Sequence, residues 1–342
     1  MGELVVLQTK PGGYMESQSG LQRGNPRIYG RLERGGDKSL AFIVFHPTSN
    51  FFGHYLLDQL PRRGASILAL NTRYIGNDSM LVMERAVQDV GAGIRFLRDQ
   101  GFRRVALIGN SGGGSLAALY QSQATQLTIR TTADGQPFDL ASEDVPAADG
   151  IALVAAHLGR AEQMLTKIDG SVLDETNAPK VDPALDMFAP TIGPPYPAEW
   201  LSRYREAQSR RLRRITDWVE QRLAELARSR PSEVADEAFV IHRTQADPRN
   251  LDLTIDANDR TAGTLGGDAR NYNLAANGLA RFCTLRSFLS QWSPWHTRAH
   301  GPTCLARVTA PKLIVDHTGD QTVFPSQVAA WREAAGARAQ YL

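Results

Sequence analysis

The residues with the clearest capacity for chemistry are Gly109-Asn110-Ser111-Gly112-Gly113. They fit G-x-S-x-G and stand between a strand-like segment, Arg104 to Ile108, and a helical one, Ser111 to Gln123, rich in small residues. A serine at such a turn is held in a strained backbone conformation that lifts its hydroxyl above the sheet edge. Glycines at 109, 112 and 113 remove the collisions that side chains would cause there. The helix behind the turn aims its N-terminal N–H groups and positive dipole end at the same spot, where charge developing on a carbonyl oxygen would be stabilised. The chemistry is nucleophilic attack on an acyl carbon, with Ser111 as nucleophile and the Gly112 N–H as first oxyanion donor. An overlapping run, Gly112 to Ala117, also fits the dinucleotide pattern G-x-G-x-x-A. That pattern should open the first βα unit and meet an acidic strand end about 20 residues later, whereas the next clear strand here begins at Ile151.

Holding such a turn requires a sheet, and the first half of the chain alternates strand-like and helical segments, as βαβ units and a mostly parallel sheet do. Leu4 to Gln8 and Arg27 to Leu32 come first, and Ser39 to Phe45 is a nearly continuous apolar run ending at His46-Pro47. A helix is predicted over roughly Gly53 to Arg63, a strand over Ser66 to Leu70, and a helix over Met83 to Gln100, where Val87, Val90, Ile94 and Leu97 recur at helical spacing. Ile151 to Ala156 reads as the sixth strand. Beyond His157 the rhythm stops until about residue 305, too long a stretch for a loop and therefore an inserted domain. Within it, Ala198 to Arg228 reads as one long helix with an apolar face of Trp200, Tyr204, Leu212, Ile215, Val219 and Leu226. Its other face carries Arg210, Arg211, Arg213 and Arg214, which read as solvated and not as a nucleic-acid patch. The rhythm resumes with Lys312 to Asp316 and a helix over Pro325 to Ala335, and Ala339 to Leu342 begins another strand.

Composition narrows the classes. The 342 residues hold 38 Lys+Arg against 36 Asp+Glu, a net charge of +2 that gives no field for nucleic acid or an anionic membrane. Apolar runs such as Leu40 to Phe45 fall far short of the ~18 residues of a membrane span. The opening MGELVVLQTKPGGY has neither a signal-peptide nor a transit-peptide pattern, so a cytoplasmic protein is expected. Cys283 and Cys304 lack CxxC partners and read as buried small hydrophobes, with no metal site expected.

Taken together, Gly109-Asn110-Ser111-Gly112-Gly113, the Phe45-His46-Pro47-Thr48-Ser49 turn, the insertion after the sixth strand and the late Thr318-Gly319-Asp320 resemble the α/β-hydrolase superfamily over most of residues 1 to 342. The resemblance implies an α/β fold with a doubly wound, mostly parallel sheet. Residues 1–156 and 306–342 would form a discontinuous core and 157–305 a mainly helical lid. It also implies a triad in the order Ser, acid, His, with the acid in the turn after the seventh strand. Asp320 is that residue, expected to hold an imidazole in the right tautomer, with Asp316 on the strand as the lesser alternative. The turn after Phe45 corresponds to the family's His-Gly-x segment. Pro47 replaces its glycine and has no N–H, so Thr48 is the expected second oxyanion donor and His46 a structural histidine. The family's catalytic histidine follows the eighth strand, of which Ala339 to Leu342 is only the start. The chain is therefore expected to lack its last strand-loop-helix, with His157 the best internal substitute and His317 the next.

The function so implied is cofactor-independent cleavage of a carboxylic ester or related acyl bond through an acyl-Ser111 intermediate. The partner would be a small-molecule ester or acyl substrate, and Trp200, Tyr204, Trp218, Trp292 and Trp295 are candidates for an apolar pocket, though their spacing fits a lid core better. Two alternatives share the scaffold: a non-catalytic binding protein, and an acyltransferase using the same serine.

Overall fold

The computed structural model describes residues 2–10 and 26–342, apart from 232, 234, 277 and 279. Its centre is an eight-stranded sheet made of β1 (Glu3–Gln8), β2 (Arg27–Glu33), β3 (Leu40–His46), β4 (Ser66–Asn71), β5 (Arg104–Asn110), β6 (Gly150–Val154), β9 (Lys312–Val315) and β10 (Gln340–Tyr341). The spatial order is β1-β2-β4-β3-β5-β6-β9-β10. β1 and β2 pair antiparallel, β2 joins β4 antiparallel, and every later pairing is parallel. The order in which the chain adds strands reverses between β3 and β5, and ligands of doubly wound sheets bind at that switch point, outside the carboxyl ends of the strands.

Alternation along the strands divides the core in two. Ala41, Ile43 and Phe45 of β3 face one cluster together with α2 (Met83–Asp99), α3 (Gly113–Thr125), α8 (Gly301–Leu305) and α9 (Pro325–Ala335). Val44 faces the opposite cluster with Ile67, Ile108 and Leu57 of the short helix α1 (Leu56–Gln59). This period of two is what forces a strand buried on both faces to be apolar throughout. The predicted strands and the long helices of the sheet lie within two residues of their expected positions. The segment expected as a helix over 53–63 is shorter: α1 runs directly into a 3₁₀ turn, Pro61–Arg63, because Pro61 has no N–H to continue the ladder.

Between β6 and β9 the inserted segment holds α4 (Arg160–Lys167), α5 (Ala198–Ser229), the hairpin of β7 (Ala238–Val240) with β8 (Phe282–Thr284), α6 (Ala269–Leu274) and α7 (Leu285–Gln291). Only α5 is strongly periodic in sequence. Its apolar face packs in two clusters, and Tyr196, Trp200 and Tyr204 stack in series with ring centroids 4.8 and 4.9 Å apart. One expectation is corrected here: Arg211 is fully buried, not solvated. Its guanidinium forms a two-point pair with Glu175, at 2.7 Å for each nitrogen, and donates to the carbonyls of Asp169 and His242. The loops of the insertion cover that side of α5, and the guanidinium satisfies their carbonyls. Both cysteines are buried and free.

Candidate active site

The site begins with a strained residue. Ser111 links β5 to α3 at φ 53°, a left-handed conformation that costs a non-glycine residue about 1–3 kcal/mol. The turn is pinned on both sides. The Ser111 N–H donates to Val154 O on β6 at 3.0 Å, and its carbonyl accepts from the Gly114 N–H at 3.1 Å. The glycines are required by close approach: a Cβ on Gly113 would overlap the Phe45 carbonyl, and one on Gly112 would lie 2.6 Å from His46 Nε2 and 3.2 Å from His157 Nε2. Two imidazoles therefore press their Nε2 atoms against the peptide that follows Ser111.

Ser111 is partly exposed and lines a cavity of about 260 Å³ together with His46, Thr48, Ser49 and His157 from the sheet edge. The inserted segment supplies Arg160, Gln163, Lys167, Gln245, Asn250, Thr264, Leu265, Tyr272 and Trp292, and Thr322 comes from the loop after β9. A larger apolar cavity of about 400 Å³, between α5 and β7 and lined by Trp218 and Phe239, shares none of these residues. Of the aromatic residues considered for the pocket, Trp292 alone lines this cavity. Trp200 and Tyr204 are core, and Trp295 lies beneath the Arg213 guanidinium, 3.5 Å from its ring centroid. Most of the residues lining this cavity are consequently polar, where an apolar lining was considered.

The two imidazoles differ in chemistry. His46 Nδ1 accepts from the N–H groups of Thr48 at 3.1 Å and Ser49 at 2.9 Å. A nitrogen that accepts two N–H bonds carries no proton, so the neutral ring holds its hydrogen on Nε2, facing Gly112. Burial, with the Arg160 charge adding to it, holds the His46 pKa down to about 3. His157 is pushed well below the ordinary histidine value, chiefly by burial, then by His46, Lys167 and Arg160. Its Nδ1 is buried without a hydrogen-bond partner, in weak electrostatic contact with the Gly159 backbone. Both rings are neutral at pH 7.

Two expectations need correction. The Thr48 N–H is taken up by His46 Nδ1. Proline at 47 makes the turn fold onto its own histidine, and the donor presented toward Gly112 is the His46 side chain. Asp320 does follow β9, but its Oδ1 accepts from the Thr322 N–H (2.7 Å), the Thr322 hydroxyl (2.8 Å) and the Val323 N–H (3.1 Å). It closes its own turn, its N–H also donating to the His317 carbonyl at 3.0 Å, and among the described residues no imidazole is hydrogen-bonded to its carboxylate. Asp316 is tied through its backbone N–H to Leu342 O. His54, His242, His296, His300 and His317 do not line the cavity. His54 stacks between Phe51 and Tyr55, and His300 caps α8 by accepting the Thr303 N–H.

Motif reading missed the face of α4. Arg160, Gln163 and Lys167 stand at i, i+3 and i+7 and all line the cavity, each less than a tenth exposed. The signal was available as a polar stripe at helical spacing just after a strand end, a pattern that ordinarily denotes solvent. Among the described residues no group of three His, Cys, Asp or Glu side chains is placed to hold a metal ion, and no helix is long and apolar enough to cross a membrane.

No protein-family model matches the chain, and no curated protein matches its sequence. Solved structures do resemble it. DcsB, determined in complex with its substrate analogue, is 14% identical with a TM-score of 0.50, over 99% of this chain and 89% of that one. The esterase domain of a Rhodothermus marinus protein (14% identity, TM-score 0.43, 99% and 87% coverage) and a Paleococcus ferrophilus monoacylglycerol lipase (11%, 0.44, 92% and 87%) are looser matches.

Proposed function

We propose, from the α/β-hydrolase fold that this chain adopts, that it cleaves a carboxylic ester or related acyl bond with Ser111 as nucleophile. The observation that carries this reading is the strained Ser111 turn opening into a cavity with two neutral imidazoles against Gly112. Ser111 Oγ bonds to the acyl carbon as its proton passes to His157 Nε2, an imidazole that burial keeps uncharged and able to accept. The oxyanion takes hydrogen bonds from the Gly112 N–H and from His46 Nε2–H. Expulsion of the alcohol, which takes the proton back from His157, leaves acyl-Ser111, and water then releases the acid by the same steps. Asp320 holds the acid's place on the sheet edge but has no imidazole to orient among these residues. The imidazolium formed at His157 is therefore unsupported by a carboxylate, and turnover through it is expected to be slow.

Hydrolysis of p-nitrophenyl acetate tests the reading. Ser111→Ala should lower kcat by at least about 10³-fold, and His157→Gln by at least about 10²-fold. Full activity in His157→Gln would place the proton acceptor elsewhere, and full activity in Ser111→Ala would remove the reading altogether. A second reading, a hydrolase-like protein that binds without turnover, draws on one observation: among the described residues no Asp or Glu lines the cavity. Ligand binding with no hydrolysis, unchanged by Ser111→Ala, would select it.

A further inference from the structure

The part of the cavity wall that comes from the inserted segment contains several N–H donors with no partner. Lys167 lies on the buried face of α4, 6% exposed, and its ammonium forms no ion pair among the described residues. Gln245 Nε2, Trp292 Nε1 and Arg160 Nε are each buried without a hydrogen-bond partner, in residues that are 5%, 1% and 6% exposed. Leaving one buried polar group unsatisfied costs about 1–3 kcal/mol, and three such donors in residues around one cavity is not how a core is ordinarily built. Those three atoms and the Lys167 ammonium are all N–H donors, and among the described residues His157 Nδ1 is the one other atom of a cavity-lining residue buried without a partner. A set of donors with no acceptor is satisfied by oxygen lone pairs.

Charge narrows the partner further. Among the described residues no Asp or Glu lines the cavity, while Arg160 and Lys167 do. The Arg160 charge is already matched, its Nη2 being paired with Asp78, and its guanidinium is further fixed over the Trp292 ring at 4.2 Å. Lys167 is left as the cation of this wall that forms no ion pair among the described residues. Around it stand Asp247, which is engaged by Arg205 and Arg249, and Asp320, with Arg249 and His157 the other nearby basic groups. Burial lowers the Lys167 pKa to about 8, so the ammonium is still charged at pH 7. One free positive charge amid neutral donors complements one negative charge spread over two oxygens, which describes a carboxylate better than a phosphate dianion.

We propose that the acyl compound processed at Ser111 carries a second, free carboxylate, held by Lys167 and Gln245 with the Trp292 and Arg160 N–H groups beside them. The proposal rests on Ser111 as nucleophile for its substrate class, while the anion site itself stands on the cavity wall. In a cavity of about 260 Å³ the acid group and the scissile carbonyl must belong to one short chain, such as a half-ester of a small dicarboxylic acid.

The test uses the full chain and two readouts. Mono-p-nitrophenyl glutarate should exceed p-nitrophenyl butyrate in kcat/KM by at least tenfold, and Lys167→Met and Gln245→Glu should each reduce that ratio at least tenfold. Independently of turnover, glutarate should raise the melting temperature of the wild-type protein and slow fluorophosphonate labelling of Ser111, with both effects lost in Gln245→Glu. If Ser111 is not labelled but glutarate still stabilises the wild type and not the variants, the anion site stands and the nucleophile reading falls. A labelled Ser111 with no preference for the half-ester and no effect of glutarate overturns the proposal, and so does protection by inorganic phosphate but not glutarate.

Discussion

Ser111 is held at φ 53° for its hydroxyl and not for stability. Glycine accepts that conformation without penalty, so Ser111→Gly should raise stability by about 1 kcal/mol while abolishing acyl transfer, a trade measurable by denaturant titration beside an ester assay. His46 gives a second expectation at this scale. Its folded pKa of about 3 lies below the unfolded value of 6.5, so between those values the unfolded chain binds more protons. The contribution of His46 to stability is complete above about pH 6.5 and is lost as pH falls toward 3. His46→Asn, whose side-chain oxygen can still accept the Thr48 and Ser49 N–H groups, should flatten the melting temperature over that range, and an unchanged profile would show that His46 is not held neutral by burial. The strained turn at Ser111 was legible in the sequence because its glycines answer a local steric demand. The role of His46 was not, because the proton on its Nε2 is decided by two N–H groups that turn back onto Nδ1, a geometry that only the folded Pro47 turn defines.

At the scale of elements, β5 and α3 could be read from sequence, since an apolar run followed by small residues has few other solutions. α4 was harder to read, because it has only eight residues and its buried face mixes Ala161 and Met164 with Arg160, Gln163 and Lys167, a polar pattern that ordinarily denotes solvent. The face turned inward is the one bearing Arg160, Gln163 and Lys167, and the reason lies in the cavity it lines. A pH effect belongs to this helix. The Lys167 amine has a folded pKa of about 8 against 10.5 for a free one, so across that interval the unfolded state binds the extra proton and this group makes stability rise with pH. The wild type minus Lys167→Met difference in unfolding free energy should therefore increase from pH 8 to 10, and a flat difference would contradict the buried amine. Asp320 illustrates the other limit of legibility. Its position after β9 was readable, whereas its use within its own turn depends on Thr322 and Val323 folding back upon it.

For the molecule as a whole, the inserted segment is fastened to the sheet domain through residues 78–84. Glu84 on α2 is fully buried, accepting from Arg298 at 2.7 Å and from the Ser290 hydroxyl at 2.7 Å, and Gln291 donates to the Asp78 carbonyl. Glu84→Gln should destabilise the protein by about 2 kcal/mol, reduced from the full value for a buried pair because Arg298 is 32% exposed. This fastening, made by residues more than 200 positions apart, has no local signature in the sequence. It holds Arg160, Lys167, Gln245 and Trp292 beside the Ser111 turn, so that they share one cavity with Ser111, His46 and His157. The most direct measurement is reaction of the full chain with a fluorophosphonate, followed by mass-spectrometric mapping of the adduct. Ser111 as the nucleophile requires a single adduct on Ser111 that is absent in Ser111→Ala. A folded protein left unmodified, or modified elsewhere and equally so in Ser111→Ala, would contradict it.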